Sequence, residues 1–586
     1  MYSTTINPEV MKGALPDGFP AGKLSRPEYK MIVDRDVYIT MRDGIRVACD
    51  VYRPDADGKF PALYGTLAYQ KATQQLPAVP TLHSVEVNDI EYFVSRGYVY
   101  VLQDQRGTGM SEGDWEFFER CEQLDFYDCI EWIAIQPWCT GKVGMIGESL
   151  LSWSQWLAAQ HCPPHLCCIV PFDGGADLYR DVVYHGGIFN IGFPSIWYNW
   201  ELRSHYHSGY GPIPNQGKFN SNNPDSCKFD LAWNVIKHPT FDEFWETRRT
   251  DFKKINVPVF SIGEWHKCGL HLRGNLRGYE EVETPKKLLV CQGEIDGDEM
   301  AVFNTPEVRL LMLQWYDHWL KGNDTGMLDG PRVCLYVRGK DEFRFEEEWP
   351  PARTEYKKYY LSGEKSGAVD SLNDGTLVED VPGTGPESCS YSYPQEDWTH
   401  FGGPGSAVQI NGMLYPYKKV LTFTTAPFEK ETEICGSTVL TLFASSKIEF
   451  PTDFLETKFL CRLWDQFPDG MQEANLPLKG RLLTQGRLRS CYAFEKDEAL
   501  TKPYRPYYTH KNPVEIEQGK VYKYEIEMLG TCNCFLPGHR LRLEIMNNDS
   551  GAIDHGGHYY GLAVGEDTLW FGEGHASFIT LPIVSE

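Results

Sequence analysis

No stretch of this sequence is apolar for long enough to cross a bilayer. The longest runs, such as Leu288-Leu289-Val290-Cys291, are strand-sized, against the roughly 20 residues a membrane helix needs. The N-terminal MYSTTINPEVMKGALPDG has no basic segment leading into an apolar one, so no secretory leader is expected. Positive charge is scarce. Lys and Arg number 56 against 81 Asp and Glu, a formal net charge of −25, which excludes nucleic acid or an anionic membrane as a partner held by bulk electrostatics. Paired cysteine spacing is missing as well. The seventeen cysteines are odd in number, and Cys167-Cys168 and Cys532-Asn533-Cys534 make no CxxC pairs with zinc spacing. Reduced thiols in a cytoplasmic protein, with no metal and no cofactor, are expected. No internal repeat and no long low-complexity linker is present.

What remains is an acidic globular enzyme composition, 42% hydrophobic and 23% charged, suited to a small-molecule substrate and permitting a homodimer. At 586 residues the chain is too long for one core, so two or three domains are expected. Val37 to Thr40 and Arg46 to Val51 flank an Asp43-Gly44 turn and read as a hairpin. Phe60 to Tyr64, Tyr98 to Gln103 and Lys142 to Ile146 are short apolar runs of buried strands. Helical spacing near Ile90 to Ser95 and at Leu124, Tyr127, Ile130 and Ile133 separates them. This β-α-β-α order predicts a parallel sheet covered on both faces. Between 177 and 251 the texture shifts to crowded aromatics and turns, read as an inserted helical cap. Strands resume at Val257 to Ile262 and Lys287 to Cys291, with a helix from Pro306 to Leu320. Beyond Pro350 short alternating runs, such as Lys357 to Leu361, Ser437 to Ala444 and Leu541 to Ile545, predict a jelly-roll β-sandwich.

The chemistry-bearing motif is Lys142-Val-Gly-Met-Ile-Gly147-Glu148-Ser149-Leu150-Leu151, a strand entering Gly-x-Ser and then a helix. A serine on such a turn has its hydroxyl pushed into the cleft at the carboxyl end of the sheet, beside backbone N–H groups that can hold an oxyanion. Leu151 stands where the general motif has its second glycine. A serine placed as a plain helix N-cap is the structural alternative.

Asp104-Gln-Arg106-Gly107-Thr-Gly109-Met-Ser111-Glu112-Gly113, Trp138-x-x-Gly141 and the Gly147-x-Ser149 elbow together resemble the cocaine-esterase-like (CocE/NonD) family, a branch of the X-Pro dipeptidyl-peptidase-like hydrolases. Asp177-Leu-Tyr-Arg180, His185-Gly-Gly-Ile188, Gly269-Leu-His271-x-Arg273-Gly274, Asp317-His-Trp-Leu-Lys-Gly322, Thr452-Asp453-Phe454, Pro468-Asp-Gly470 and Pro537-Gly-His539-Arg540 extend the resemblance over nearly the whole chain. It implies an α/β-hydrolase core (1–176 and 252–350), a helical cap (177–251) and a C-terminal jelly-roll domain (351–586). It also implies an oxyanion hole made by a tyrosine hydroxyl, here Tyr69, and the N–H after the nucleophile, here Leu150.

The same resemblance exposes two departures. Lys267 occupies the place of the triad aspartate in Trp265-His266-Lys267-Cys268-Gly269-Leu270-His271, and Gln292, before Gly293, that of the histidine. A glutamine amide cannot accept the serine proton, and loss of the base costs on the order of a millionfold in turnover. Lys267 could serve as base in a Ser-Lys dyad, and Glu294, Asp296 and Asp298 follow Gln292; His271 also reads as a hydrogen-bonded core histidine. The expected catalytic set is Ser149, Tyr69, Lys267 and Gln292, with Glu148, Trp265, His266, His271, Trp197 and Trp200 binding substrate. The leading expectation is an enzyme of specialised metabolism on a small carbonyl compound, acting as a cyclase, isomerase or lyase. A rewired serine esterase, peptidase or acyltransferase and a non-catalytic ligand-binding protein are the alternatives.

Overall fold

The computed structural model describes residues 11–15, 24–75, 86–192, 197–198, 229–292, 302–383, 385–393, 420–451, 454–468, 480–547, 558 and 563–585. The first half builds a ten-stranded sheet from β1 (Met31–Thr40), β2 (Arg46–Pro54), β3 (Phe60–Leu67), β4 (Val99–Asp104), β5 (Cys139–Glu148), β6 (Leu166–Phe172), β7 (Val259–Glu264), β8 (Lys286–Cys291), β9 (Val333–Val337) and β10 (Glu342–Glu346), in the order β1-β2-β4-β3-β5-β6-β7-β8-β9-β10. The hairpin at Asp43-Gly44 pairs Thr40 with Arg46, and β2 meets β4 antiparallel. From β4 to β9 every neighbouring pair is parallel. Buried helix-covered parallel strands must be apolar on both faces. β4 is buried at every position and β3 at all but its first, which is why those runs do not alternate.

Helices α1 (Arg120–Ala134), α2 (Leu150–Ala159), α3 (Leu272–Glu281) and α4 (Pro306–Lys321) pack against the sheet. α4 shows how local chemistry sets the ends: Thr305 accepts from the Val308 N–H at 3.4 Å, Pro306 opens the first turn, and Gly322 closes the helix at φ 74°. The helices and sheet share one hydrophobic core. Of the expected cap, 193–196 and 199–228 lie outside the described residues; the remainder holds a π-turn at Tyr179–Val183 and short helices at Leu231–Lys237 and Glu243–Glu246.

The second half is a β domain of eleven strands, which closes through pairing of Phe578–Val584 with Thr432–Phe450. Arginines from the first half lock it in place. Arg338, just past β9, donates to the carbonyls of Leu482 and Leu483 at 3.2 and 3.0 Å, and Arg180 to those of Tyr508 and Thr509 at 3.0 and 2.8 Å. No helix among the described residues is long and apolar enough to cross a membrane. The sixteen described cysteines are all free thiols.

One buried carboxyl makes the fold pH-sensitive. Glu122, in the first turn of α1, accepts from the Glu116 N–H and braces the loop through Phe117 and Phe118, both at positive φ. Burial pushes its pKa up to about 8 from 4.5. The folded state therefore favours the protonated form, so its stabilising share is complete below the unfolded value and is lost as pH rises through about 8. Glu122→Gln should flatten that loss. Between about pH 6 and pH 9 the unfolding free energy of the wild type, measured by chemical denaturation, should fall relative to the variant by on the order of a few kcal/mol; parallel pH profiles would contradict this.

Candidate active site

The site is built where β5, β6 and β7 end. Ser149 forms the turn from β5 into α2 with φ 57° and ψ −118°, a backbone state that costs about 1–3 kcal/mol and persists only when its surroundings dictate it. The Ser149 N–H donates to the Phe172 carbonyl at 3.1 Å, and its own carbonyl takes the first N–H bonds of α2 from Ser152 and Trp153 at 2.9 and 3.0 Å. The Gln155 amide donates to the Gly147 carbonyl and accepts from the Val170 N–H, at 3.0 and 2.9 Å, tying β5 to β6 beneath the turn.

Leu151 is compatible with the elbow because Gly147 is bare. A Cβ on Gly147, at φ 137°, would lie 2.3 Å from the Leu151 Cβ. The second small residue comes from the turn after β6 instead: a Cβ on Gly174 would lie 2.0 Å from Ser152 Oγ. Sequence motif and structure thus use different glycines for one steric need.

The Ser149 side chain makes no cap hydrogen bond to α2. Leu150 is the first residue of that helix, so its N–H has no intrahelical acceptor. Tyr69 is 2% exposed in the turn after β3, and its hydroxyl accepts from Trp197 Nε1 at 2.8 Å, with the rings edge-on at 6.5 Å. That bond occupies an acceptor position of the phenol oxygen. Trp197 is held in turn by Trp115, Phe117 and Trp153, with ring centroids 6.1–6.3 Å away. The Tyr69 turn is anchored from behind by Lys71, which forms ion pairs with Asp36, Asp50 and Asp104, the last two at 2.9 and 3.9 Å. Burial opposes charge on Lys71, but the three carboxylates outweigh it and hold its pKa above the ordinary lysine value. Burial pushes Asp104 up to about 6 despite Lys71.

Glu148 ends β5, Asp173 follows β6 and Glu264 ends β7; all three are fully buried. The Lys267 ammonium lies between the first two, 3.7 Å from a carboxylate oxygen of each. Glu264 donates its N–H to Asp173 at 3.0 Å, and its carboxylate lies 3.2 Å from His266 Nδ1. Lys267 therefore balances buried negative charge, and flanking carboxylates favour the protonated form of an amine. Asp173 and Glu264 were not among the expected site residues. Their signal was an acid placed directly after an apolar strand run, as at Glu148.

Other expected residues are committed to packing. Trp265 donates to the Tyr336 carbonyl at 2.8 Å and packs on Trp349. His271 Nδ1 accepts from Trp153 Nε1 at 3.3 Å, which assigns the proton of the neutral ring to Nε2. Gln292 leaves the sheet just past Cys291, whose strand partner is Glu264, beside the turn carrying Lys267. The loop after it, 293–301, and Trp200 lie outside the described residues.

Two family models match: X-Pro dipeptidyl-peptidase (S15 family) over residues 43–294, and the X-Pro dipeptidyl-peptidase C-terminal non-catalytic domain over 325–580. The cocaine esterase of Rhodococcus sp. (strain MB1 Bresler) is 29% identical, covering 94% of this chain and 98% of that protein. A CocE/NonD family hydrolase from Staphylococcus aureus superposes with a TM-score of 0.76 at 25% identity, covering 94% of both chains. The chain belongs to the CocE/NonD, X-Pro dipeptidyl-peptidase-like family. An α-amino acid ester hydrolase shares the fold, with a TM-score of 0.69 at 19% identity over 97% of this chain and 99% of that one. Within this CocE/NonD frame, the ammonium of Lys267 stands where the resemblance implies an aspartate, and the structure supplies its counter-charges in Glu148 and Asp173.

Removing one member of a buried ionic group leaves the others uncompensated, at about 3–5 kcal/mol. Lys267→Met should lower unfolding stability by about that much. Lys267→Asp, which writes the family residue back, should be at least as unstable because it adds a carboxylate to two others. A Lys267→Asp protein as stable as the wild type in chemical denaturation would show that the ammonium does not balance Glu148 and Asp173.

Proposed function

We propose that this chain is a hydrolase-type enzyme of its family that takes a small carbonyl compound at the Ser149 elbow. Its carbonyl is polarised by the Tyr69 hydroxyl and the Leu150 N–H, without an imidazole-activated serine. The observation that carries this reading is the Ser149 hydroxyl: among the described residues no imidazole is placed in hydrogen-bond contact with it. The family positions that would supply and orient such a base hold Gln292 and Lys267. Lys267 sits between two carboxylates, which argues against a neutral amine taking the serine proton. A carbonyl oxygen that gains negative charge between two fixed donors is stabilised without proton abstraction by serine. Cyclisation, isomerisation or elimination on such a carbonyl, in specialised metabolism, is the chemistry this arrangement favours.

A second reading, a serine esterase, peptidase or acyltransferase with a rewired base, draws on the strained elbow at Ser149 and on the relative named a cocaine esterase. A fluorophosphonate probe separates the two. The first reading expects labelling of Ser149 to be slow and substrate turnover to survive Ser149→Ala. Rapid labelling abolished by that substitution would sink it in favour of the second. Under the first reading Tyr69→Phe should lower kcat by about a hundredfold with KM little changed.

A further inference from the structure

Among the described residues, one group of His, Cys, Asp and Glu side chains brings three ligand atoms within 4.8 Å of one another: the Glu433 carboxylate and the Cys435 and Cys532 thiols. Strand register makes the group. The strands Thr432–Phe450 and Tyr522–Phe535 run antiparallel, with Cys435 opposite Cys532 and Glu433 opposite Cys534. Opposed residues, and residues two apart, share one face of a ladder, so all four belong to the same face. It lies in one apolar cluster with Val333, Leu335, Val337 and Trp349, and Cys435 and Cys532 are fully buried. The Cys534 sulfur is turned to the Phe535 carbonyl, at 3.9 Å. The two thiols of the group are far apart in sequence and form no CxxC spacing, so only the strand pairing brings them together.

Two features suit a soft divalent cation. Cysteine thiolates with a carboxylate are zinc ligands, and ligand atoms around tetrahedral zinc stand about 3.5–3.8 Å apart. Small side-chain rotations therefore close these three on one ion. The second feature is Arg344, on β10 of the first half. Its Nη1 donates to Glu433 at 2.7 Å, its Nε lies 2.6 Å from Glu346, and Cys532 and Cys435 lie beside the guanidinium. Its Nη2 is buried without a hydrogen-bond acceptor. A thiol accepts weakly, whereas an ionised acceptor makes a bond about twice as strong as a neutral one. Metal-bound sulfur gives the guanidinium a charge to meet.

The ion pairs at the group are balanced: Glu433 and Glu346 face Arg344 and Arg353, and Glu431 faces Lys340. Burial holds the Cys435 thiol well above its ordinary value, so its proton stays on until a cation takes its place. A divalent ion that displaces two thiol protons to solvent and gains two metal–sulfur bonds leaves the balance unchanged.

We infer that Glu433, Cys435 and Cys532 form a zinc site in the β domain, with a water completing the four ligands from the Glu433 side, where that side chain is 10% exposed. Through the Arg344–Glu433 pair the site ties the β domain to β10 of the first half. It lies apart from the Ser149 elbow and does not rest on the function proposed for it.

The full chain, reduced with a phosphine and stripped with a chelator, is loaded with zinc, or with cobalt(II) as its spectroscopic stand-in, and dialysed. The expected result is about one zinc retained per chain and a thiolate-to-cobalt charge-transfer band in the near ultraviolet. The double variant Cys435→Ser/Cys532→Ser should weaken zinc by at least about a hundredfold and abolish the band. Glu433→Gln should weaken zinc by at least about tenfold, and Cys534→Ser should bind as the wild type does. Zinc retention no greater than in the double variant, a band that survives in it, or a loss with Cys534→Ser but not with Glu433→Gln would overturn the inference. Should the double variant fail to fold, hydrogen exchange of the wild type carries the test: zinc must slow exchange at 432–436 and 531–535, and slowing confined to other segments, or none, overturns it.

Discussion

The site depends on the neutralisation of charge at the ends of three adjacent strands. Glu148, Asp173 and Glu264 emerge side by side from β5, β6 and β7 into a fully buried layer. Carboxylates cannot share such a place unless protons or cations compensate them. Lys267 is the cation the chain provides, and it reaches two of the three. The turn bearing Trp265–Lys267 is thereby fastened to the residue that precedes Ser149 and the residue that follows β6. Any ligand carbonyl at the elbow meets a local field fixed by that ionic group.

A second layer of constraint fixes the donor opposite. Tyr69 is held at its hydroxyl by Trp197 and at its turn by Lys71, while Asp104 accepts the Lys71 N–H at 2.6 Å and the Met110 N–H at 2.9 Å. A Cβ on Gly109 would lie 2.2 Å from that carboxylate, so the Asp104-Gln-Arg-Gly-Thr-Gly segment wraps the acid closely. Its role is to position: it sets where the turn after β3 ends and hence where the phenol lies. Preorganised donors need no rearrangement when charge develops on a substrate, and a turn pinned by three carboxylates and a packed indole meets that condition.

Much of the fold was legible in the sequence because its signals are local. The apolar runs at Phe60–Tyr64 and Tyr98–Gln103 name buried strands, the alternation at Leu541–Ile545 names a strand whose polar positions prove buried as well, and Pro306 names the start of α4. Element ends were less legible: the strand expected at Lys142 begins at Cys139, and the run at Ser437 extends from Thr432 to Phe450, since pairing across the sheet continues past the apolar signal. At the site, the elbow, Tyr69 and Lys267 were visible as residues, and Lys267 stood out as a departure. What Lys267 touches was not visible, because Glu148, Asp173 and Glu264 are separated by up to 116 positions and meet only through strand order. The partners of Trp265 and His271, the Tyr336 carbonyl and Trp153 Nε1, were not visible for a related reason: they come from other elements.

Ser149 itself can be weighed by what the fold does not ask of it. Its strained dihedrals follow from the strand-to-helix turn and would burden any side chain at that position. It occupies the N-cap place of α2, where serine is favoured because its oxygen accepts from the following N–H groups, yet its hydroxyl makes no such bond. The turn is secured by backbone bonds from Phe172 and to Ser152 and Trp153, and by Gln155. Capping therefore does not account for a hydroxyl here. On the function proposed above, a serine without a capping task, beside Tyr69 and the Leu150 N–H, is there to touch the ligand, whether or not it gives up its proton.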